Sequence, residues 1–305
     1  MDQENLQKYR RLVMLAGTAS VSTAVLFIVI KFVVWMFSGS SVIFASLTDS
    51  IFDMLASLIN LLALRFSLAP PDKEHRFGHH KSQSLASLAQ AAFIGGSAVL
   101  LIIHGVQRCI SPEEVSHIGA ALIVSIVCIV FTVLLVLLQT YVYSKTKSES
   151  IAADRLHYIS DVSLNLGVVA ALVLSSFGYM FADGLFAALI GGFILKGAYE
   201  IGMKAVQTLL DRSLSSEDMQ KILEAIVKTE GVKDIHDLKT HSAGPMVYVQ
   251  GHIVLDGGMS LFDAHEIVSL AEKRVRVYFP DAEITLHMEP DNFETRTSVN
   301  FTDEI

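Results

Sequence analysis

VIFASLTDSIFDMLAS, residues 42–57, decides how this chain is read. The stretch is apolar enough to belong to a membrane span, yet it carries Asp49 and Asp53. A carboxylate near the bilayer centre costs about 2.5–3.5 kcal/mol on the insertion scale. Two carboxylates four residues apart lie one above the other on one helix face. Downstream, LHYISD (156–161) repeats the spacing with His157 and Asp161. The two segments can bring three carboxylates and one imidazole to a single point. Three oxygens and one nitrogen in a tetrahedral set suit Zn²⁺ and tolerate Fe²⁺, Cd²⁺ or Mn²⁺. Two other readings stand beside this one. The groups pair with Lys31, Arg155 or backbone and only fix helix packing, or they relay protons without metal. The first is strained, because one lysine cannot neutralise three carboxylates.

Around these segments the chain is unusually apolar. Of 305 residues, 52% are hydrophobic and 18% charged, against about 25% charged in a typical soluble domain. Six stretches reach the roughly 20 apolar residues that a spanning helix needs: about 12–37, 41–65, 84–110, 117–143, 155–177 and 181–204. Tight turns are expected at 38–40 and 178–180, and longer polar connections at 66–83 and 144–154. Residues 149–161 are polar for lipid, so this part of the fifth span should be shielded by protein or border a water-filled cavity. Lysines and arginines concentrate at the N-terminus and in the two longer connections, which places both chain ends in the cytoplasm. The first apolar stretch is too long for a signal-peptide core.

The net charge of −8 is not spread evenly. Residues 1–211 hold 14 Lys and Arg against 14 Asp and Glu, while residues 212–305 hold 9 against 17. The split predicts a membrane domain over 1–211, a soluble domain over 212–290 and a flexible tail over 291–305. In the second domain a helix starts at Ser215/Ser216. Strands are expected at 233–240 and 246–255 around Gly244-Pro245, an amphipathic helix at 261–278 and a last strand at 282–289. The order α-β-β-α-β predicts a two-layer α+β domain of ferredoxin-like type. His252 falls on the polar face of its strand, and His287 and Glu289 share the polar face of theirs.

Two further clusters have metal-ligand chemistry. The 65–83 connection holds Asp72, His75, His79 and His80, and the C-terminal domain holds His236, His241, His252, His265 and His287. The alternatives are a solvated histidine-rich loop and scattered surface histidines. Cys109 and Cys128 lie in apolar surroundings and offer neither a disulfide framework nor a thiolate cluster.

At these residues the chain resembles the cation diffusion facilitator family, and most nearly its bacterial zinc and ferrous-iron efflux members, over about residues 8–290. The matching segments are LTDSIFD (47–53), the loop D-x-x-H-x-F-G-H-x-K (72–81), LHYISD (156–161), LLDR (209–212), HDL (236–238), His252, His265 and the His-x-carboxylate at 287–289. The resemblance implies a homodimer with six transmembrane helices and a cytosolic metallochaperone-like domain in each copy. It implies a transport site of Asp49, Asp53, His157 and Asp161, and a loop site of Asp72, His75 and His79. A binuclear site at the cytosolic dimer contact would be formed by His236, His252, His265, His287 and Glu289. Lys81 and Asp211 would form a salt bridge between subunits. Met288 and Glu289 depart from the Gln and Asp often found at those positions. The second departure keeps the carboxylate and lengthens its reach.

The expected function is export of a divalent cation, Zn²⁺ first and Fe²⁺ or Cd²⁺ after it, from the cytoplasm across a bacterial inner membrane in exchange for protons. A passive metal channel and a membrane metal sensor are the alternatives. An acidic chain with pI near 5.7 argues against nucleic acid as partner. No Walker loop supports a nucleotide-driven pump and no H-E-x-x-H supports a metalloenzyme, since His265-Glu266 lacks the second histidine.

Overall fold

The computed structural model describes residues 3–38, 41–110, 119–176 and 182–292. The chain divides into two compact units, residues 9–206 and residues 207–305 with 1–8. Six long helices come first: α1 (Gln3–Ser38), α2 (Ser41–Ser67), α3 (Ser82–Ile110), α4 (Gly119–Thr146), α5 (Glu149–Ser176) and α6 (Ala182–Leu209). The shortest has 27 residues, and at about 1.5 Å per residue each exceeds a hydrocarbon core of about 30 Å. Among the described residues, α1 to α4 and α6 each hold a stretch long and apolar enough to cross a membrane. α5 is 28 residues long and carries Glu149, Asp154, Arg155, His157 and Asp161 in its first half.

This polar half is covered by protein. Ser150, Ile151 and Ala153 are fully buried, and Asp154 is 1% exposed. α5 packs against α2, α3 and α4, so its carboxylates meet other helices. The shielding inferred from the sequence is therefore present. The expected polar connection at 144–154 is not. α4 continues to Thr146 and α5 begins at Glu149, with Lys147 at φ +52° turning the chain. Polar residues do not by themselves break a helix, and helical residues here extend past the apolar stretch. The first helix likewise starts nine residues before the expected span, at Gln3 rather than 12. The turns expected at 38–40 and 178–180 and the tail after 292 lie outside the described residues, apart from Ser38 at the end of α1.

A buried polar cluster ties helix ends together. Gln83 (2% exposed) donates to Ser67 Oγ at 2.9 Å and accepts from Ser148 Oγ at 2.8 Å and from Tyr9 at 3.3 Å. α3 and α6 approach closely where Gly105 faces Gly184. A Cβ on Gly184 would lie 2.5 Å from the Gly105 carbonyl oxygen. Small residues of this kind let two membrane helices meet backbone to backbone.

The second unit reads α7 (Ser216–Val227), β1 (Asp234–Ala243), β2 (Met246–Leu255), α8 (Leu261–Tyr278) and β3 (Glu283–Pro290). Ser215 caps α7 by accepting from Asp218 N–H, and Ser260 caps α8 by accepting from Asp263 N–H. The sheet order is β1-β2-β3, with β1 antiparallel and β3 parallel to β2. Both helices cover one face: Ile222, Ile226, Val268 and Val275 pack on Val249, Ile253, Ile284 and Leu286. Strand alternation then sends His252, His287 and Glu289 to the opposite face. β1 runs three residues further than expected, to Ala243.

Candidate metal centres

Three groups of metal-ligand residues come together among the described residues, each with donor atoms within 4.8 Å of one another. The first lies between α2 and α5. His157 Nε2 is 3.1 Å from Asp53 Oδ1 and 3.9 Å from Asp161 Oδ2. In a tetrahedral shell with bonds near 2.0 Å, ligand atoms sit about 3.3 Å apart, so a small cation fits among these three with little movement. His157 Nε2 is buried and has no aligned hydrogen bond. A buried imidazole nitrogen facing two carboxylates, outside hydrogen-bond geometry with either, suits a cation between them. Asp49, one turn along α2 from Asp53, is not in the tight group. It lines the same cavity of about 190 Å³, with Asp53, Asp161 and Lys31.

The second group lies in the loop between α2 and α3. Asp72 Oδ1 is 3.4 Å from His75 Nδ1, and Asp72 Oδ2 is 3.3 Å from His79 Nε2. The N–H groups of His75 and Glu74 donate to the same Asp72 oxygen, at 2.6 and 2.9 Å. The His75 N–H in particular holds the Asp72 carboxyl below the usual carboxylate range. Asp72 is thus ionised at neutral pH and fixed by backbone. His79 is buried against Phe66, with ring centroids 4.3 Å apart, and its Nδ1 has no hydrogen bond.

The third group lies on the open sheet face. His236, His252 and His287 stand in register across the three strands. Glu289, 8% exposed, bridges two of them. Its Oε1 is 2.6 Å from His252 Nδ1 and its Oε2 is 3.2 Å from His236 Nε2. His287 packs tilted beside His252 at 5.0 Å between ring centroids but lies outside the tight group. His265, exposed on α8, also lies outside it, with Nε2 3.5 Å from Ser269 Oγ. His241 stacks on Tyr248 and faces Asp211 at 3.5 Å. Asp211 and Lys81 fall in different units of the chain.

Two residues that sequence reasoning did not single out border these groups. Asp237 has φ +52° at an irregularity between His236 and Lys239, which turns its Oδ2 to 4.0 Å from His252 Nε2. Ile235 and Leu238 both reach the core although they are three residues apart. Regular alternation forbids that, and it is the signal of a bulge. The other is Asp154, three residues before His157 on the same side of α5. It accepts from Ser20 Oγ at 2.5 Å and Gln139 Nε2 at 2.8 Å, with Ser57 Oγ at 3.5 Å. Ser57 also meets Tyr158 at 3.0 Å. One carboxylate thus ties α5 to α1, α2 and α4. Asp154→Leu keeps the branched shape but strands these donors. An unsatisfied buried group costs about 1–3 kcal/mol, so the variant is expected to melt several degrees below the parent in detergent. Asp154→Asn retains an acceptor and should lose less than half as much.

Comparison with known proteins agrees with this architecture. Residues 17–210 match the cation efflux transmembrane domain, and residues 214–291 match the cation efflux protein cytoplasmic domain. The cation-efflux pump FieF of Shewanella oneidensis is 45% identical over 285 residues, covering 93% of this chain and 96% of that protein. FieF of Escherichia fergusonii is 41% identical over 295 residues, covering 97% and 98%. The solved Zn form of CzrB is 29% identical and covers 28% of this chain and 99% of that one, with a TM-score of 0.25. The protein is a membrane transporter of metal cations and not an enzyme. It belongs to the cation efflux family.

Proposed function

We propose that the chain moves Zn²⁺, and with it Fe²⁺ or Cd²⁺, out of the cytoplasm across a bacterial inner membrane in exchange for protons. The observation that carries this reading is the meeting of Asp53, His157 and Asp161 on two membrane helices, with Asp49 lining the same cavity. The cation is substrate. It enters a site whose ligands must give up protons to bind it, so binding and protonation exclude each other. Imidazole titrates near pH 6.5 in its ordinary state. The site therefore loads on the neutral side and discharges where protons are more plentiful. Rocking of the helices that carry the site alternates its access.

Support for a homodimer comes from the sheet face of the second unit. His236, His252, His287 and Glu289 stand there with the helices packed on the other side, and His287 stands beside His252 outside the tight group. A second copy would complete that donor set and bring Lys81 and Asp211 into pairing between subunits. The loop group of Asp72, His75 and His79 would hold a cation of its own. Metal at these two places biases the equilibrium of the dimer without itself crossing the membrane. The arrangement of lysines and arginines supports cytoplasmic ends.

The test is flux in proteoliposomes. With the protein reconstituted and a pH difference imposed, Zn²⁺ should accumulate on the acidic side while protons move oppositely. Metal flux indifferent to the pH difference would instead describe a channel, and tight binding with no flux a sensor.

A further inference from the structure

The cavity that holds the acidic residues also holds a lysine. Lys31 of α1 is half-buried, and its Nζ donates to Ser50 Oγ at 2.6 Å and to the Ser46 carbonyl at 3.1 Å. Both partners are on α2, on the turns that present Asp49 and Asp53. Lys31 thus lines the same 190 Å³ space as Asp49, Asp53 and Asp161. The two carboxylates nearest His157 pair with that histidine, and among the described residues no carboxylate comes within ion-pair distance of Lys31. The ammonium is anchored by neutral oxygens and points its charge into the cavity.

Charge counting gives this placement a meaning. Three ionised carboxylates and one ammonium sum to −2 with the imidazole neutral, which matches one divalent cation. Without Lys31 the loaded site would carry a net charge in a medium where charge is costly. The ammonium also repels the bound cation through a region of low dielectric. A transport site must bind firmly enough to fill and weakly enough to empty. Asp154 does not enter this count, because it lies outside the cavity lining and is satisfied by Ser20 and Gln139.

We infer that Lys31 is a fixed counter-charge that matches the cavity to a single divalent cation and holds its affinity low enough for release. This rests on the transport-site reading above. It is a role in setting affinity, and it is distinct from tethering α1 to α2.

The test is an equilibrium titration of the full-length protein in detergent at pH 8, with Zn²⁺ alone and a competing fluorescent chelator. Transport-site binding is isolated by difference against Asp53→Ala. Lys31→Met is expected to bind Zn²⁺ at that site at least tenfold more tightly than the parent, and Lys31→Arg to bind within twofold of it. Lys31→Gln, which can still reach Ser46 and Ser50, carries the same expectation as Met if the Met variant does not assemble. Affinity unchanged or weakened in both neutral variants, with Asp53→Ala still removing one site, overturns the inference. That is the result a simple tether would give. If Asp53→Ala removes no site, the transport-site reading falls, and this inference falls with it.

Discussion

Asp53→Ala should abolish metal-dependent flux in proteoliposomes while the protein still elutes as a folded particle of parental size. Asp53 supplies the oxygen closest to His157 Nε2, at 3.1 Å, and it is the group that joins α2 to α5 at the cluster. Losing a residue that merely orients a metal ligand costs about 10–100-fold in affinity or activity. Loss of a direct ligand from a small set should exceed that. The side chain is partly exposed to the cavity and is not part of an apolar core, so its removal leaves helix packing in place. Asp49→Ala should be milder, because Asp49 lines the cavity but stands outside the tight group. A gradient Asp53 > Asp49 in lost flux is the signature of this geometry. Parental flux in Asp53→Ala would remove the transport site from α2 altogether.

What could be read in the sequence follows from how strongly each feature breaks a pattern. Asp49, Asp53, His157 and Asp161 are conspicuous because apolar surroundings make ionisable groups costly, and the i, i+4 spacing then fixes a face. Two-residue alternation in the C-terminal domain put Val249, Ile253, Ile284 and Leu286 on the core face and His252, His287 and Glu289 on the other, as the structure has them. The features that were missed are those in which no local pattern is broken. Asp154 looks like one more charge in a polar helical stretch. Its significance lies in Ser20, Ser57 and Gln139, which are distant in sequence and become partners only when four helices pack. Asp237 reads as a strand residue until the odd spacing of Ile235 and Leu238 is noticed. Hydropathy sets the starts of α1 and α5 late because it reports where the bilayer-like stretch begins, whereas a helix begins at its hydrogen bonds. The grouping of ligands was also beyond the sequence. Spacing alone could not separate His236, His252 and Glu289 from His265 and His287.

That separation leads to the second large effect, at Glu289. The two carboxylate oxygens serve different histidines, Oε1 at His252 and Oε2 at His236, so this side chain is the bridge of the cluster. It is also the most buried of the three, at 8% exposed, while its partners stand on neighbouring strands held in register by the ladder. Glu289→Ala leaves two histidines, whose rings lie 5.2 Å apart between centroids, without the carboxylate that bridges them, and Asp237 at 4.0 Å reaches only His252. Zn²⁺ binding at this place in the full-length protein should weaken by about 100-fold or more, beyond the range for loss of an orienting group. The core of the domain lies on the other face and should be untouched, so its circular dichroism should stay parental. Glu289→Asp separates charge from reach. It restores the carboxylate but withdraws it by one methylene, so it should recover contact with one histidine and give an intermediate affinity. If Ala and Asp weaken binding equally, the length of the side chain matters as much as its charge, and the bridge must span both histidines at once. If neither weakens it, Glu289 is not a ligand and the bridge reading of this cluster falls.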